Sequence, residues 1–459
     1  MEEPRKLYPF KFLPIGESFA WGGRKLEKNY GKSFVTSDGK GRLSKLEKGG
    51  PVAESHEIAD LGYRDSQILD GWLAGNTLSE VMDMYLDRIV GEKAFAYYGR
   101  QFPLSIKLID AEGRTPLMVH PDDETAGQRY DFLGKAKMWY VLDARPDASL
   151  WLGFRRDTGA DELYRACQDG GVEGLLNEVK PWPGDCFHIQ PGTVHAAEGV
   201  VLLEVSEASP LDFCLHAWGE ELPEEEFDSA LGLVEALDFI DFKAWKPSDA
   251  APDGKLVKSP EFTATRMDLK DPVHVVAGEN GGFAVYFCAS GEASVQVPAA
   301  GGMESTILQA GETVLVPAEI EDFYLVPRQS GTVLVEVLVE REEEPDAYID
   351  PSAEPELPGE GEEYKFNSVY GRFSKNLQVR MGHPPVQDAE RRHRSLQRQQ
   401  GAAQRRSRQG FQARQGRRHG LRPQGRGAVY IQGPADSGTE DGGAESPRIR
   451  REPHAAERA

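Results

Sequence analysis

Two histidines carry the first hint of chemistry. His120 stands between Val119 and Pro121 at the end of an apolar run, and His195 follows a Pro191-Gly192 turn. Neutral imidazole binds borderline divalent ions such as zinc. One histidine at a strand end is ordinarily structural; two, each in a turn context, point to metal or ligand binding. His195 closes the stretch PGDCFHIQPGTVHAAEG (183–199), where Gly184 and Asp185 begin a turn and an apolar run follows. The eleven residues from Gly184 to His195 suit one hairpin of a small β-barrel ending in an inward-facing imidazole. Further donors lie nearby: Asp122, Asp123 and Glu198 in sequence, His188 and His216 on neighbouring apolar runs, each read first as structural. Cys167, Cys186, Cys214 and Cys288 include no CxxC pair, which excludes a disulfide scaffold and a Cys-only zinc site and leaves four buried thiols.

The elements that must position these groups are mostly strands. From residue 102 onward the chain shows short runs rich in Val, Ile and aromatics, broken by Gly, Pro and Asp. They lie at 103–109, 138–143, 149–154, 186–190, 200–205 and 211–218. A second series follows at 262–269, 283–290, 293–297, 313–318, 323–327 and 332–340. Thr77-Leu-Ser-Glu80 is a capping box, and apolar residues at helical spacing predict a helix over 77–91. A helical insert is expected near 159–178. The fold class read from this pattern is mostly β: two sandwich- or barrel-type β-units in series, with a helical insert and a disordered C-terminal tail. The expected divisions are an N-terminal domain with the helical insert at 1–222, a connection at 223–258, a second β domain at 259–340, an acidic linker and unassigned segment at 341–382, and a tail at 383–459.

Charge separates the tail from the rest. The chain of 459 residues carries a formal net charge of −22; residues 383–459 hold 16 Arg, no Lys and 8 acidic residues, a net of +8, which leaves −30 on residues 1–382. So acidic a body repels nucleic acid and anionic membrane, and neither is expected as its partner. The Arg-rich tail admits three readings: a nucleic-acid arm, a solvated disordered appendage, or the product of a shifted reading frame in a GC-rich gene, which its Arg, Gln and Gly content without Lys favours. No run approaches the ~18–20 apolar residues of a membrane span. The opening MEEPRKLYPFKF lacks the apolar core of a signal peptide, so the expected address is cytoplasmic. The Gly-rich pieces at 21–24 and 278–282 lack the strand–glycine–helix context of a nucleotide site.

Several blocks in order resemble the mannose-6-phosphate isomerase family of metal-dependent cupins. They are YPFKFLPIGESFAWGGRKL, AESHEIAD, GWLAGNTLSE, FPLSIKLID, MVHPDDETA, GKAKMWYVL and PGTVHA, spread over about residues 7–340. The resemblance implies that the two β-units are cupin-type β-barrels or jelly rolls, the second a cupin-like domain without ligands. It also implies that the protein is an aldose–ketose isomerase that interconverts mannose 6-phosphate and fructose 6-phosphate through an enediol, with a sugar phosphate as substrate and zinc as cofactor. It places His120 and His195 at two metal-ligand positions, and Lys107 and Lys135 at lysines of the active site. Three positions depart from the family pattern: Met118 stands where a ligating Gln is expected, Lys137 where a ligating Glu is expected, and Cys214 where a late Arg is expected. A thioether is a poor zinc ligand and an ammonium is none. Lys137 is therefore read as a substrate-binding cation, and a cupin that binds a sugar phosphate without turnover is the alternative function. The resemblance leaves the oligomeric state open.

Overall fold

The structure is a computed structural model, and it describes residues 5–37, 42–46, 49–219, 232–248, 251, 254–276, 281–299 and 301–340. The acidic linker and unassigned segment (341–382) and the Arg-rich tail (383–459) lie outside the described residues, as does the whole stretch 220–231.

Eleven strands make one sheet: β1 (Ile15–Glu17), β2 (Val35–Ser37), β3 (Leu43–Lys45), β4 (Glu54–Ile58), β5 (Leu104–Ala111), β6 (Leu117–Val119), β7 (Lys137–Phe154), β8 (Leu176–Val179), β9 (Cys186–Ile189), β10 (His195–Glu207) and β11 (Phe213–His216). Nine more follow: β12 (Lys255–Lys258), β13 (Thr263–Leu269), β14 (Val273–Val276), β15 (Ala284–Ser290), β16 (Glu292–Ala299), β17 (Gly302–Gln309), β18 (Thr313–Val316), β19 (Asp322–Pro327) and β20 (Thr332–Leu338). These form a five-stranded sheet in the order β12-β13-β20-β15-β18 and a four-stranded one in the order β14-β19-β16-β17. The mostly β architecture is thus present, built of open sheets rather than closed barrels. Helices are short: α1 (Lys25–Tyr30), α2 (Leu78–Tyr85), α3 (Asp87–Val90), α4 (Glu92–Tyr98), α5 (Asp123–Tyr130), α6 (Ala160–Asp169) and α7 (Leu233–Ala236). No helix among the described residues is long and apolar enough to cross a membrane.

Four expectations change in detail. The helix expected over 77–91 starts at its capping box, where Thr77 accepts from the Glu80 amide and Glu80 from the Thr77 amide, but Leu86 sits at φ 51 and splits it into α2 and α3. The runs at 138–143 and 149–154 belong to one 18-residue strand, β7, because β10 pairs along nearly its whole length. The insert is helical only to Leu175; Leu176–Val179 crosses to β7 as β8. The hairpin expected between Gly184 and His195 does not form, because β9 and β10 each pair with β7 rather than with each other.

Candidate functional site

Register explains how distant residues converge. Across the eleven-stranded sheet, His56 of β4 opposes Lys107 of β5, Lys107 opposes Glu204 of β10, and Glu204 opposes Trp139 of β7. Directly opposed residues share a face, as do residues two apart on one strand. Glu54 and Lys137 therefore join the same face as His56 and Trp139. His195 is nine residues from Glu204, an odd separation that would put the two on opposite faces of a regular strand. A register shift between Glu198 and Val200, with Gly199 at φ 75, inserts the extra residue that restores them to one face. The Trp139 ring meets the His195 ring edge-on at 5.3 Å.

His120 follows β6, whose Met118 is opposed to His195 in the sheet. The two imidazole centroids lie 5.0 Å apart, and both side chains are buried. Each ring is held from behind: Nδ1 of His120 donates to the Leu211 carbonyl at 2.9 Å, and Nδ1 of His195 to the Thr193 carbonyl at 2.8 Å. That arrangement leaves Nε2 with its lone pair on both rings, and Nε2 of His120 is buried without a hydrogen-bond partner among the described residues. Burial, reinforced by the Lys137 charge, holds both imidazoles neutral: His195 is pushed down to about 3 and His120 falls well below its ordinary value.

The lysines are each neutralised. Lys137 Nζ donates to Glu204 Oε2 at 3.1 Å, and Trp139 Nε1 donates to the same oxygen at 2.7 Å. Lys107 Nζ lies 3.3 Å from Glu204 Oε1 and donates to Glu54 at 3.1 Å. Lys135 Nζ donates at 2.7 Å to Asp212, whose carboxylate also lies 3.4 Å from Nδ1 of His120. Although burial opposes its charge, Lys107 is held protonated well above the ordinary lysine range by Glu204, Glu54 and Asp212. Burial and the neighbouring lysines outweigh Glu204 at Lys137 and bring it down to about 8. Burial opposes the Glu204 carboxylate too, but the three ammonium groups and Trp139 keep it ionised.

All five residues singled out from the sequence, His120, His195, Lys107, Lys135 and Lys137, therefore meet in one cluster. Reading the sequence missed its anions, Glu54, Glu204 and Asp212, and the indole of Trp139. A signal was present for one: Glu204 interrupts the apolar run VVLLEV, and a carboxylate buried in a sheet must have a cation beside it. The extra donors suggested by proximity are used elsewhere. Asp122 caps α5 by accepting from Thr125, Asp123 accepts from the Gly134 amide, Glu198 pairs with Arg114, His216 accepts from the Trp218 amide, and His188 packs edge-on against Phe262. None of the four cysteines is in a disulfide; Cys167 and Cys288 are buried, whereas Cys186 and Cys214 are half-buried.

A second group, not foreseen, joins this one through Lys107. Glu17, Glu54 and His56 bring one ligand atom each to within 4.8 Å of one another. Nε2 of His56 lies 3.7 Å from Glu17 and 3.8 Å from Glu54, and neither ring nitrogen has a hydrogen-bond partner among the described residues. Each carboxylate already carries a cation: Arg64 on Glu17 and Lys107 on Glu54. Burial and the Lys107 charge push His56 down to about 4.

The fold and this centre define a mostly β protein with imidazole and amine side chains gathered on one sheet face. No family model matches the chain. The resemblance to mannose-6-phosphate isomerases is borne out by sequence relatives and by the solved structures that share the fold. The chain is 31% identical over 205 residues to the probable mannose-6-phosphate isomerase GmuF of Bacillus subtilis, a match covering 44% of this chain and 59% of that protein. It thus spans somewhat under two thirds of that curated relative. The crystal structure of mannose 6-phosphate isomerase from Bacillus subtilis superimposes with a TM-score of 0.58 at 22% identity, covering 72% of this chain and 99% of that one. A mannose 6-phosphate isomerase structure bound with zinc and yttrium aligns with a TM-score of 0.53 at 15% identity, over 72% of this chain and 99% of that one. Zinc does not fit the histidine pair here. A catalytic zinc keeps about three protein ligands, and the pair's companions at the two other expected positions are a thioether, Met118, and an ammonium, Lys137.

Proposed function

We propose that this chain is a hexose-phosphate aldose–ketose isomerase that interconverts mannose 6-phosphate and fructose 6-phosphate. The observation that carries the reading is the buried convergence of two neutral imidazoles and three lysines on one sheet face. Moving a proton between C1 and C2 requires a proton carrier at those carbons and positive charge beside the oxygen of the enediol. Lys107 supplies the second: held protonated by two carboxylates, it remains a donor throughout the cycle. Lys135 is assigned to proton transfer: its ammonium would hand one proton to Asp212, the carboxylate of the cluster with the most solvent-exposed side chain, and the freed amine would take the proton from C2 and return it at C1. Each ammonium bound to one carboxylate keeps further N–H donors for sugar hydroxyls or phosphate. The zinc in the similar structure speaks for a metal in this fold; among the described residues Glu17, Glu54 and His56 are a group that could gather on one, provided that Arg64 and Lys107 give up the two carboxylates.

The neutralisation of every lysine favours a second reading, a cupin that binds a sugar phosphate without turning it over. A coupled assay of mannose 6-phosphate conversion by the full chain decides. Turnover that falls by roughly a hundredfold or more in Lys107→Met and in Lys135→Met supports the isomerase. Saturable binding without turnover establishes the second reading, and absence of both overturns the two together.

A further inference from the structure

The histidine pair has the geometry of half a metal site and the electrostatics of a site already filled. Nδ1 of each ring is fixed on a backbone carbonyl, the rings lie 5.0 Å apart, and Nε2 of His120 is buried with no hydrogen-bond partner among the described residues. The charge acting most strongly on both rings is the ammonium of Lys137. Glu204, itself buried, holds that ammonium at 3.1 Å with Trp139 as a second donor on the same oxygen. A divalent ion between the imidazoles would meet a fixed positive charge, while the carboxylates nearby already answer other cations: Glu204 Oε2 takes Lys137 and Trp139, Glu204 Oε1 faces Lys107 at 3.3 Å, and Asp212 takes Lys135.

We infer that the ammonium of Lys137, anchored by Glu204, takes the place of a divalent cation at His120 and His195, so that this pair stays metal-free. In a substrate complex the same ammonium would donate to a sugar oxygen, a weaker electrophile than zinc but one that needs no loading. This role rests on the reading of the cluster as a sugar-phosphate centre; the exclusion of metal from the pair does not.

The test uses the full chain, equilibrated with excess zinc, desalted and analysed for zinc by atomic emission, beside its His120→Ala and His56→Ala variants. The expected result is that His120→Ala leaves the zinc content of the protein unchanged. Zinc that is lost in His56→Ala and kept in His120→Ala belongs to Glu17, Glu54 and His56, and equally supports the inference. About one zinc per chain that disappears in His120→Ala overturns it. Calorimetric titration with mannose 6-phosphate gives an arm independent of any variant: the affinity should agree to within about twofold with and without EDTA. Binding that is lost in EDTA and restored by zinc, in the wild type and in His56→Ala alike, overturns the inference. If no binding is seen in either condition, the sugar-phosphate reading fails, and the zinc measurements still decide the metal question. The substitution should also be reversible: Lys137→Glu with Met118→Gln should gain about one zinc per chain, and a folded double variant that gains none counts against Lys137 as the excluding group.

Discussion

Glu204 has a relative exposure of 1% and answers Lys107, Lys137 and Trp139 at once. Breaking a buried pair from one side strands the other charge and typically costs about 3–5 kcal/mol. Glu204→Gln should therefore destabilise the protein by roughly that amount in denaturant titration, with Lys137→Met costing less because Lys107 and Trp139 still attend the carboxylate. A loss below about 1 kcal/mol in Glu204→Gln would mean that water reaches the group. The buried histidines add a pH dependence whose sign follows from their direction. The folded values of His56, about 4, and His195, about 3, lie below the ordinary value of 6.5. Their contribution is present above about pH 6.5 and is lost as the pH falls toward those values. Each should remove about 1.4 kcal/mol per pH unit on the way down, so His56→Phe should flatten the decline in stability between pH 6 and 4, measured by urea unfolding. At this scale the sequence was informative where residue type declared a purpose. His120, His195 and the lysines stand out by type and context. Glu54, Asp212 and Trp139 do not, because their role exists only through cross-strand neighbours far away in the chain.

Strands with one apolar face, and the helix start at Thr77, were legible because alternation and capping chemistry are local. The strands that escaped are short or polar. Leu43–Lys45 is exposed or half-exposed throughout, and Gly302–Gln309 buries Leu308 alone, so hydrogen bonding to a neighbour is what makes each a strand. The bulge at Gly199 was equally hidden, yet it sets which face His195 joins. At φ 75 any side chain is strained, and a Cβ there would lie 3.1 Å from the Ala148 backbone and 3.0 Å from Arg145. Gly199→Val should cost about 1–3 kcal/mol. Deleting Gly199 should do more, turning His195 away from Glu204 and Trp139 by removing the extra residue. The check is mannose 6-phosphate binding together with near-ultraviolet circular dichroism of the Trp139 environment. A deletion variant that keeps both signals would show that the bulge does not position His195.

Over the whole of residues 5–340, the apolar core does not follow the order of the chain. One cluster of buried residues joins Phe10, Leu78, Ile89, Phe102, Leu104 and Leu203 to Phe262, Phe283, Leu315 and Val337. Backbone bonds accompany it: Phe10 and Leu315 exchange amide and carbonyl at 2.7 and 2.9 Å, and the Ala318 amide donates to Ile89. Periodicity reveals that a strand has an apolar face, but not which remote face covers it, so this joint core could not be read from the sequence. Its consequence is cooperative. The sheet containing β15 and β20 buries Phe283, Val285, Phe287, Val335 and Val337 in the same cluster as Leu104, Ile106 and Leu108 of β5, and neither sheet can leave without exposing the other. Phe283 lies 4.8 Å from Phe102, ring to ring, and both are fully buried. Phe283→Ala removes that contact and leaves a cavity, at a cost of about 3–5 kcal/mol. Because the cavity opens in the shared core, the variant should unfold in one transition, with tryptophan fluorescence (all seven tryptophans lie before residue 250) coinciding with far-ultraviolet circular dichroism at a lowered midpoint. If circular dichroism instead showed an early partial loss while tryptophan fluorescence kept its wild-type midpoint, the β-region from 255 to 338 would be melting by itself, and the shared cluster would not couple the two.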